Sequence, residues 1–285
     1  MDVDMAEPVA VEMRTSLSPS RAADFQNCPL LYRFRTIDRF PEPRDPVALR
    51  GTLVHSVLEH LFDVDAAERT IERAVELVAV AWAQLRADDP ELGALFDTDE
   101  TPDELEWLAS CRPLLESYFT IEDPRLIEPA ARELRVDHLL ESGLSLGGII
   151  DRVDVAPDGR IRVVDFKTGK SVSERFEGKA LFQMKFYALV IWRTRGVIPT
   201  VLQLYYLSDG TVLSYEPTEH DLVATERKVA ALWAAITAAL ERGEFLPRKS
   251  ALCNWCSHQD KCPEFGGVTP PLPIVTLVPA ASPPP

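Results

Sequence analysis

The stretch 147–170, GGIIDRVDVAPDGRIRVVDFKTGK, concentrates residue types that can activate water. Two apolar-rich runs flank Pro157-Asp158-Gly159, which is turn chemistry between antiparallel strands. A turn centred on Asp158 sets Asp151 directly opposite Asp165. Alternation along the strand places Lys167 on the face of Asp165, with Val153, Val155, Ile161 and Val163. The other face offers Asp154 opposite Arg162, an ordinary cross-strand ion pair. Two carboxylates directly opposite each other repel. A hard divalent cation between them removes the repulsion, and an ammonium beside them suits the clamping of developing negative charge. A slip of one residue would send one aspartate to the other face, so this chemistry depends on register. By itself a D-x-K triplet is equally at home as surface charge on a hairpin.

The surrounding elements must hold these groups. Residues 47–62 read as a helix, with Leu49, Leu53, Val57 and Leu61 at helical spacing and Val54, Leu58 and Phe62 widening the stripe. His55 lies at the edge of that stripe, with Glu59 four residues on as an available partner. Upstream, SLSPSRAADFQNC puts serine before proline, a helix start. Residues 66–87 and 101–120 read as two more helices, joined by the acidic run Asp97-Thr98-Asp99-Glu100. Cys111, among Leu108, Leu114 and Leu115, reads as a small buried hydrophobe. Residues 127–139 supply a strand leading into the hairpin, and residues 175–195 a helix after Lys167, with Gln183 and Tyr187 on one face. A second hairpin spans 199–216 with Asp209-Gly210 at its turn, and a long amphipathic helix spans 218–243. Residues 1–16 show no periodicity and read as a disordered leader; residues 266–285 are proline-rich and read as a disordered tail.

Composition sets the outer bounds. A hydrophobic fraction of 46% over 285 residues is that of a globular chain with a full core. No run of about 18 apolar residues exists, and the acidic start lacks a signal-peptide pattern, so a cytoplasmic protein is expected. The net charge of −15 argues against nucleic acid until its distribution is considered. Residues 59–123 hold 18 Asp/Glu against four Arg, whereas residues 160–195 hold nine Lys/Arg against three acids. The positive segment lies beside the proposed site, and phosphate contact follows the local field.

Asp151 followed by Asp165-Phe166-Lys167 resembles the D…(D/E)-x-K core of the PD-(D/E)XK nuclease superfamily, and the longer string GGIIDRVD…VVDFKTGK resembles its RecB-type branch. The opening S-P-S-R…C-P-L-L-Y-R-F, the G-x-x-x-H of Gly51 to His55 and the Q-x-x-x-Y of Gln183 to Tyr187 follow that branch in order, over roughly residues 17–265. The resemblance implies an α/β, restriction-endonuclease-like core with a central mixed sheet flanked by helices, here carrying an acidic helical insert at 59–123. It implies His55, Asp151 and Asp165 as ligands of Mg2+ or Mn2+, Lys167 as the residue that orients or deprotonates water, and Gln183 and Tyr187 as groups facing the site and the DNA strand.

Five cysteines are present, and three of them read C-x2-C-x5-C at Cys253, Cys256 and Cys262. A disulfide framework suits neither the odd count nor a cytoplasmic chain. Zinc is open locally, with His258 as a fourth ligand. The resemblance implies another grouping: Cys28-Pro29 with Cys253, Cys256 and Cys262-Pro263 match the iron–sulfur members of the branch, whose four cysteines bind a [4Fe–4S] cluster as a structural staple. The function so implied is a metal-dependent DNA nuclease, an exonuclease on single-stranded ends in repair or recombination, with a helicase or repair partner. No phosphate-binding G-x-x-x-x-G-K-[ST] loop is present. The competing class is a nuclease fold that binds DNA ends or scaffolds a helicase without cutting.

Overall fold

The computed structural model describes residues 10–96, 103–171 and 174–280, so the acidic connection at 97–100 lies outside the described residues. The chain divides into two compact units: residues 1–43, 137–148 and 220–285, and residues 44–136 and 149–219.

The second unit carries the central hairpin. Strand Ser145–Val155 enters it from residue 149 and pairs antiparallel with Ile161–Lys167, in the register Arg152 to Val164, Val153 to Val163, Asp154 to Arg162 and Val155 to Ile161. That is the register expected from a turn centred on Asp158. Gly159 supplies the left-handed step of this turn at φ +86°, and the Asp158 carboxylate accepts from the backbone of Arg160 at 3.2 Å. Val153, Ile161 and Val163 are buried as their face requires, whereas Val155, at the mouth of the turn, is 43% exposed. Strand Val201–Tyr206 then lies parallel to Ile161–Lys167, and Thr211–Tyr215 returns antiparallel to it, so the sheet is mixed. A parallel step needs a long crossover, and the helix Glu174–Arg195 provides it.

Helices cover the face of this sheet that carries Val164 and Phe166. The helix Pro46–His60 starts at a capping Asp45, whose carboxylate accepts from Val47 N–H at 2.9 Å, with Pro46 in its first turn. Leu53, Val54, Val57, Leu58 and Leu61 are buried against Val164 and Phe166 of the hairpin. The insert joins the same core. Its helices Ile71–Asp88, Glu104–Ala109 and Arg112–Ile121 bury Trp82, Trp107, Leu115 and Tyr118 there, and Cys111 is fully buried with its thiol pKa pushed up to about 11 by burial.

The insert ends at Glu122, which faces the buried Arg152 of the hairpin in a two-pronged pair. Tyr205 donates to the same carboxylate at 2.9 Å, and Asp154 bridges Arg152 at 3.2 Å and Arg162 at 2.8 Å. The Asp154–Arg162 pair expected from register is therefore one edge of a larger buried network.

In the first unit Ser18 caps the helix Pro19–Asn27, with Pro19 in its first turn. Residues 10–14, assigned above to a leader without structure, form a strand parallel to Ile274–Val278, a segment assigned to the tail. Val11 and Met13 alternate with polar residues, and the Ile-Val-Thr-Leu-Val run is β-prone, so each half meets a partner that no local pattern reveals. Buried Arg33 fixes the approach to that strand by donating to the carbonyls of Pro270 and Pro271 at 2.6 and 2.9 Å.

Glu122→Ala leaves the Arg152 guanidinium buried without its main counter-charge. We expect a loss of about 3–5 kcal/mol in urea unfolding. A loss below about 1 kcal/mol would show that Asp154 alone compensates Arg152.

Candidate metal centre and its neighbouring lysine

Two helices and the strand that carries Glu133 converge on the end of the hairpin. The helix Pro46–His60 brings His55, whose Nδ1 is 3.5 Å from Asp151 Oδ2. The strand Ala131–Leu139 brings Glu133. Ligand atoms of His55, Glu133 and Asp151 lie within 4.8 Å of one another, the only such group of three or more His, Cys, Asp or Glu side chains among the described residues. Two carboxylates and an imidazole are a donor set that fits a hard divalent ion, and the imidazole leans it toward Mn2+ over Mg2+.

Glu133 escapes the sequence reading. It sits at φ +41°, in the left-handed region that residues with side chains rarely occupy. The strand's alternation breaks there, and its burial pattern carries no period of two. The available signal was its position in a strand leading to the hairpin, which does not single out one acid.

Asp151 has a second duty. Its Oδ2 accepts the backbone N–H of Phe166 at 2.6 Å, which fixes the carboxylate at the point where the hairpin ladder stops. Asp165 lies across from it, 1% exposed, in an ion pair with Lys167. Gln183, from the helix Glu174–Arg195, spans that pair: its Nε2 donates to Asp165 Oδ2 at 2.7 Å, and its Oε1 accepts from Lys167 Nζ at 2.9 Å. Tyr187, one turn on, accepts from the same Nε2 at 3.2 Å. Gln183 is thus taken up by the Asp165–Lys167 pair, and Tyr187 is buried rather than offering a ring face to solvent.

The charges strain against one another. Burial pushes the Asp165 carboxyl up to about 6, with Lys167 pulling it down and Asp151 pushing it further up. Burial and the Asp151 charge lift Glu133 to about 7. Burial opposes the His55 imidazolium, but the hydrogen bond to Asp151 and the charges of Asp151, Asp165 and Glu133 outweigh it, so its pKa rises. A cluster of acids with raised pKa values is one that a divalent cation would relieve.

A groove of about 520 Å³ opens beside these groups, bordered by Gly51, Thr52, His55, Lys167, Thr168 and Tyr206 among others. In the first unit, Cys28, Cys253, Cys256 and Cys262 all line one pocket. No three of them bring their sulfurs within 4.8 Å of one another. Backbone N–H groups of Arg248 and Ser250 point at the sulfurs of Cys28 and Cys253, each at 3.4 Å. His258 is buried with Nε2 2.9 Å from Glu42 Oε1, which leaves only Nδ1 for any local zinc site.

A sequence model described as the PD-(D/E)XK nuclease superfamily matches residues 16–263. The Gene 69 protein of Mycobacterium phage L5 is 29% identical over 126 residues, 43% of this chain and 41% of the phage protein. This chain therefore spans less than half of that relative. The Gene 69 protein of Mycobacterium phage D29 is 25% identical over 283 residues, 87% of this chain and 96% of that protein. Among solved structures, a candidate exonuclease from Eubacterium rectale superposes with a TM-score of 0.55 at 15% identity, covering 86% of this chain and 88% of that one, a likeness of fold.

Glu133→Gln tests the triad. The folded pKa of Glu133 lies above its ordinary value, so wild type loses stability as pH rises from about 4.5 through about 7. Glutamine carries no such loss. Without metal, the variant's melting temperature at pH 8 should equal or exceed that of wild type, while its stabilisation by Mn2+ should shrink. An unchanged Mn2+ shift would remove Glu133 from the ligand set.

Proposed function

Because this chain belongs to the PD-(D/E)XK nuclease superfamily, we propose that it is a metal-dependent deoxyribonuclease that degrades DNA from single-stranded ends. The observation that carries this reading is the meeting of His55, Glu133 and Asp151 beside the Asp165–Lys167 pair at an open groove. In this reading His55, Glu133 and Asp151 hold Mn2+ or Mg2+, with Asp165 as a further carboxylate on the ion. The metal, when bound, supplies a lowered pKa to its water and a clamp for phosphate charge. Lys167 sits one-third exposed at the groove, where its ammonium orients the attacking water and offsets charge on the phosphate. Gln183 holds that ammonium in place through Oε1.

The same reading includes a [4Fe–4S] cluster on Cys28, Cys253, Cys256 and Cys262. Its support is the single pocket that all four line and the two backbone N–H groups directed at their sulfurs, an arrangement suited to thiolates. The cluster would join the start of the chain to its end and limit the unfolded ensemble; it has no part in hydrolysis.

End-labelled linear and circular single-stranded DNA, each with Mn2+, separate the alternatives for activity. Wild type should shorten the linear strand and spare the circle. Lys167→Ala should bind Mn2+ as wild type does yet lose the chemical step, and Lys167→Arg should also be poor because its guanidinium is bulkier and does not act as a base. DNA binding by wild type with no cleavage under any divalent ion would favour an end-binding module instead.

Cys28→Ser tests the cluster. Purified without oxygen, wild type should contain iron and sulfide, and the variant should lose both along with thermal stability. Stoichiometric zinc without sulfide in the two proteins would sink the cluster and leave a local zinc site.

A further inference from the structure

The helix Pro46–His60 carries Gly51 in its interior, where glycine is the poorest non-proline helix former. No turn or left-handed step demands it there. What demands it is an approach: a Cβ at residue 51 would lie 3.1 Å from the hydroxyl of Thr168, tighter than ordinary contact. Thr168 follows Lys167 directly, and both line the groove that also contains His55. The helix residues bordering this groove, Ala48, Gly51, Thr52 and His55, share one helical face, about 10 Å long. At about 3.4 Å per stacked nucleotide, that length spans about three backbone steps. Thr168 stands partly buried at its edge, and its hydroxyl makes no hydrogen bond among the described residues.

We propose that Thr168 is a substrate-positioning residue: its hydroxyl donates to a backbone phosphate of the strand lying in the groove, and Gly51 exists to let Thr168 stand where it can do so. The inference rests on the nuclease reading and deepens it by naming where the strand is gripped. A hydroxyl suits the task because it donates to a phosphate oxygen without adding charge beside the metal ligands. The grip is sequence-independent, since the phosphate carries no base information. It also sets the strand relative to Lys167, because the two residues are consecutive and share one backbone.

The test is a double-mutant cycle on the full chain with a labelled single-stranded oligonucleotide and Mn2+. Thr168→Val removes the hydroxyl and keeps the shape; kcat/KM should fall about tenfold, mostly through KM, and Thr168→Ser should retain most of it. Gly51→Ala should lower kcat/KM by a similar factor while its melting temperature holds or rises by about 2–4 °C, since alanine favours the helix. The double variant should lose little more than either single one, because both act through one hydroxyl. Wild-type KM in Thr168→Val would overturn the proposal, as would additive losses. A Gly51→Ala protein that keeps its KM, whichever way its melting temperature moves, would make the glycine purely a packing residue and overturn its half of the proposal. These outcomes are read only against a wild type that cuts; a wild type that does not cut overturns the nuclease reading instead.

Discussion

Arg152 governs the register on which the site depends. Its guanidinium is 1% exposed and must meet Glu122, so the strand has one acceptable alignment. Rings of Phe62, Phe166 and Tyr205 lie 5.6, 5.8 and 6.0 Å from it, and these flat neighbours suit a planar cation better than an ammonium. Side chains alternate, so placing Arg152 on this face places Asp151 on the other. A slip of one residue would exchange them, leaving an unpaired buried carboxylate against Glu122. The register that brings Asp151 toward Asp165 on one face of the hairpin is held by an ion pair on the opposite face. Since Glu122 closes the insert, the insert is part of the scaffold and not an ornament on it.

The groups of the site are arranged by hydrogen-bond inventory as much as by charge. Gln183 has two amide hydrogens and one carbonyl oxygen. Asp165 takes one hydrogen and the Tyr187 oxygen takes the other, so the carbonyl faces Lys167. A flipped amide would aim an oxygen at a carboxylate and hydrogens at an ammonium. Gln183 therefore has one orientation, and with it Lys167 has one seat. The i, i+4 spacing of Gln183 and Tyr187 makes this possible, because one turn of helix stacks the phenol behind the amide.

Much of this was legible in the sequence where local rules apply. The hairpin register follows from Pro157-Asp158-Gly159 and alternation alone, and the Asp154–Arg162 pair follows with it. The helix around His55 follows from its stripe of leucines and valines. What was not legible depends on contacts between distant segments or on departures from regular geometry. Glu133 reaches the site through a left-handed backbone step that breaks the pattern used to find strands. The pairing of Ala10–Arg14 with Ile274–Val278 joins opposite ends of the chain, and neither end announces the other. Glu122 as the partner of Arg152 is hidden for the same reason: the insert's acidity masks which of its carboxylates is buried.

The two aspartates show how a repulsion becomes a site. The ladder between the hairpin strands runs up to Arg152 and Val164, and the next rung would set Asp151 against Asp165. Ionised carboxylates at that rung oppose close pairing. The strands instead exchange a different bond, the Asp151 carboxylate receiving the Phe166 amide, while Asp165 turns to Lys167 and Gln183. Each carboxylate is thus satisfied on one side and left with lone pairs on the other. The strand continues in register with Val201–Tyr206 on its other edge, Asp165 opposite Leu204 and Lys167 opposite Tyr206, so the sheet stays intact where the hairpin parts. A gap between carboxylates at the end of an otherwise regular ladder is held by the hydrogen bonds on either side of it, and negative because of what lines it. Those two properties are what a catalytic divalent ion requires of its host.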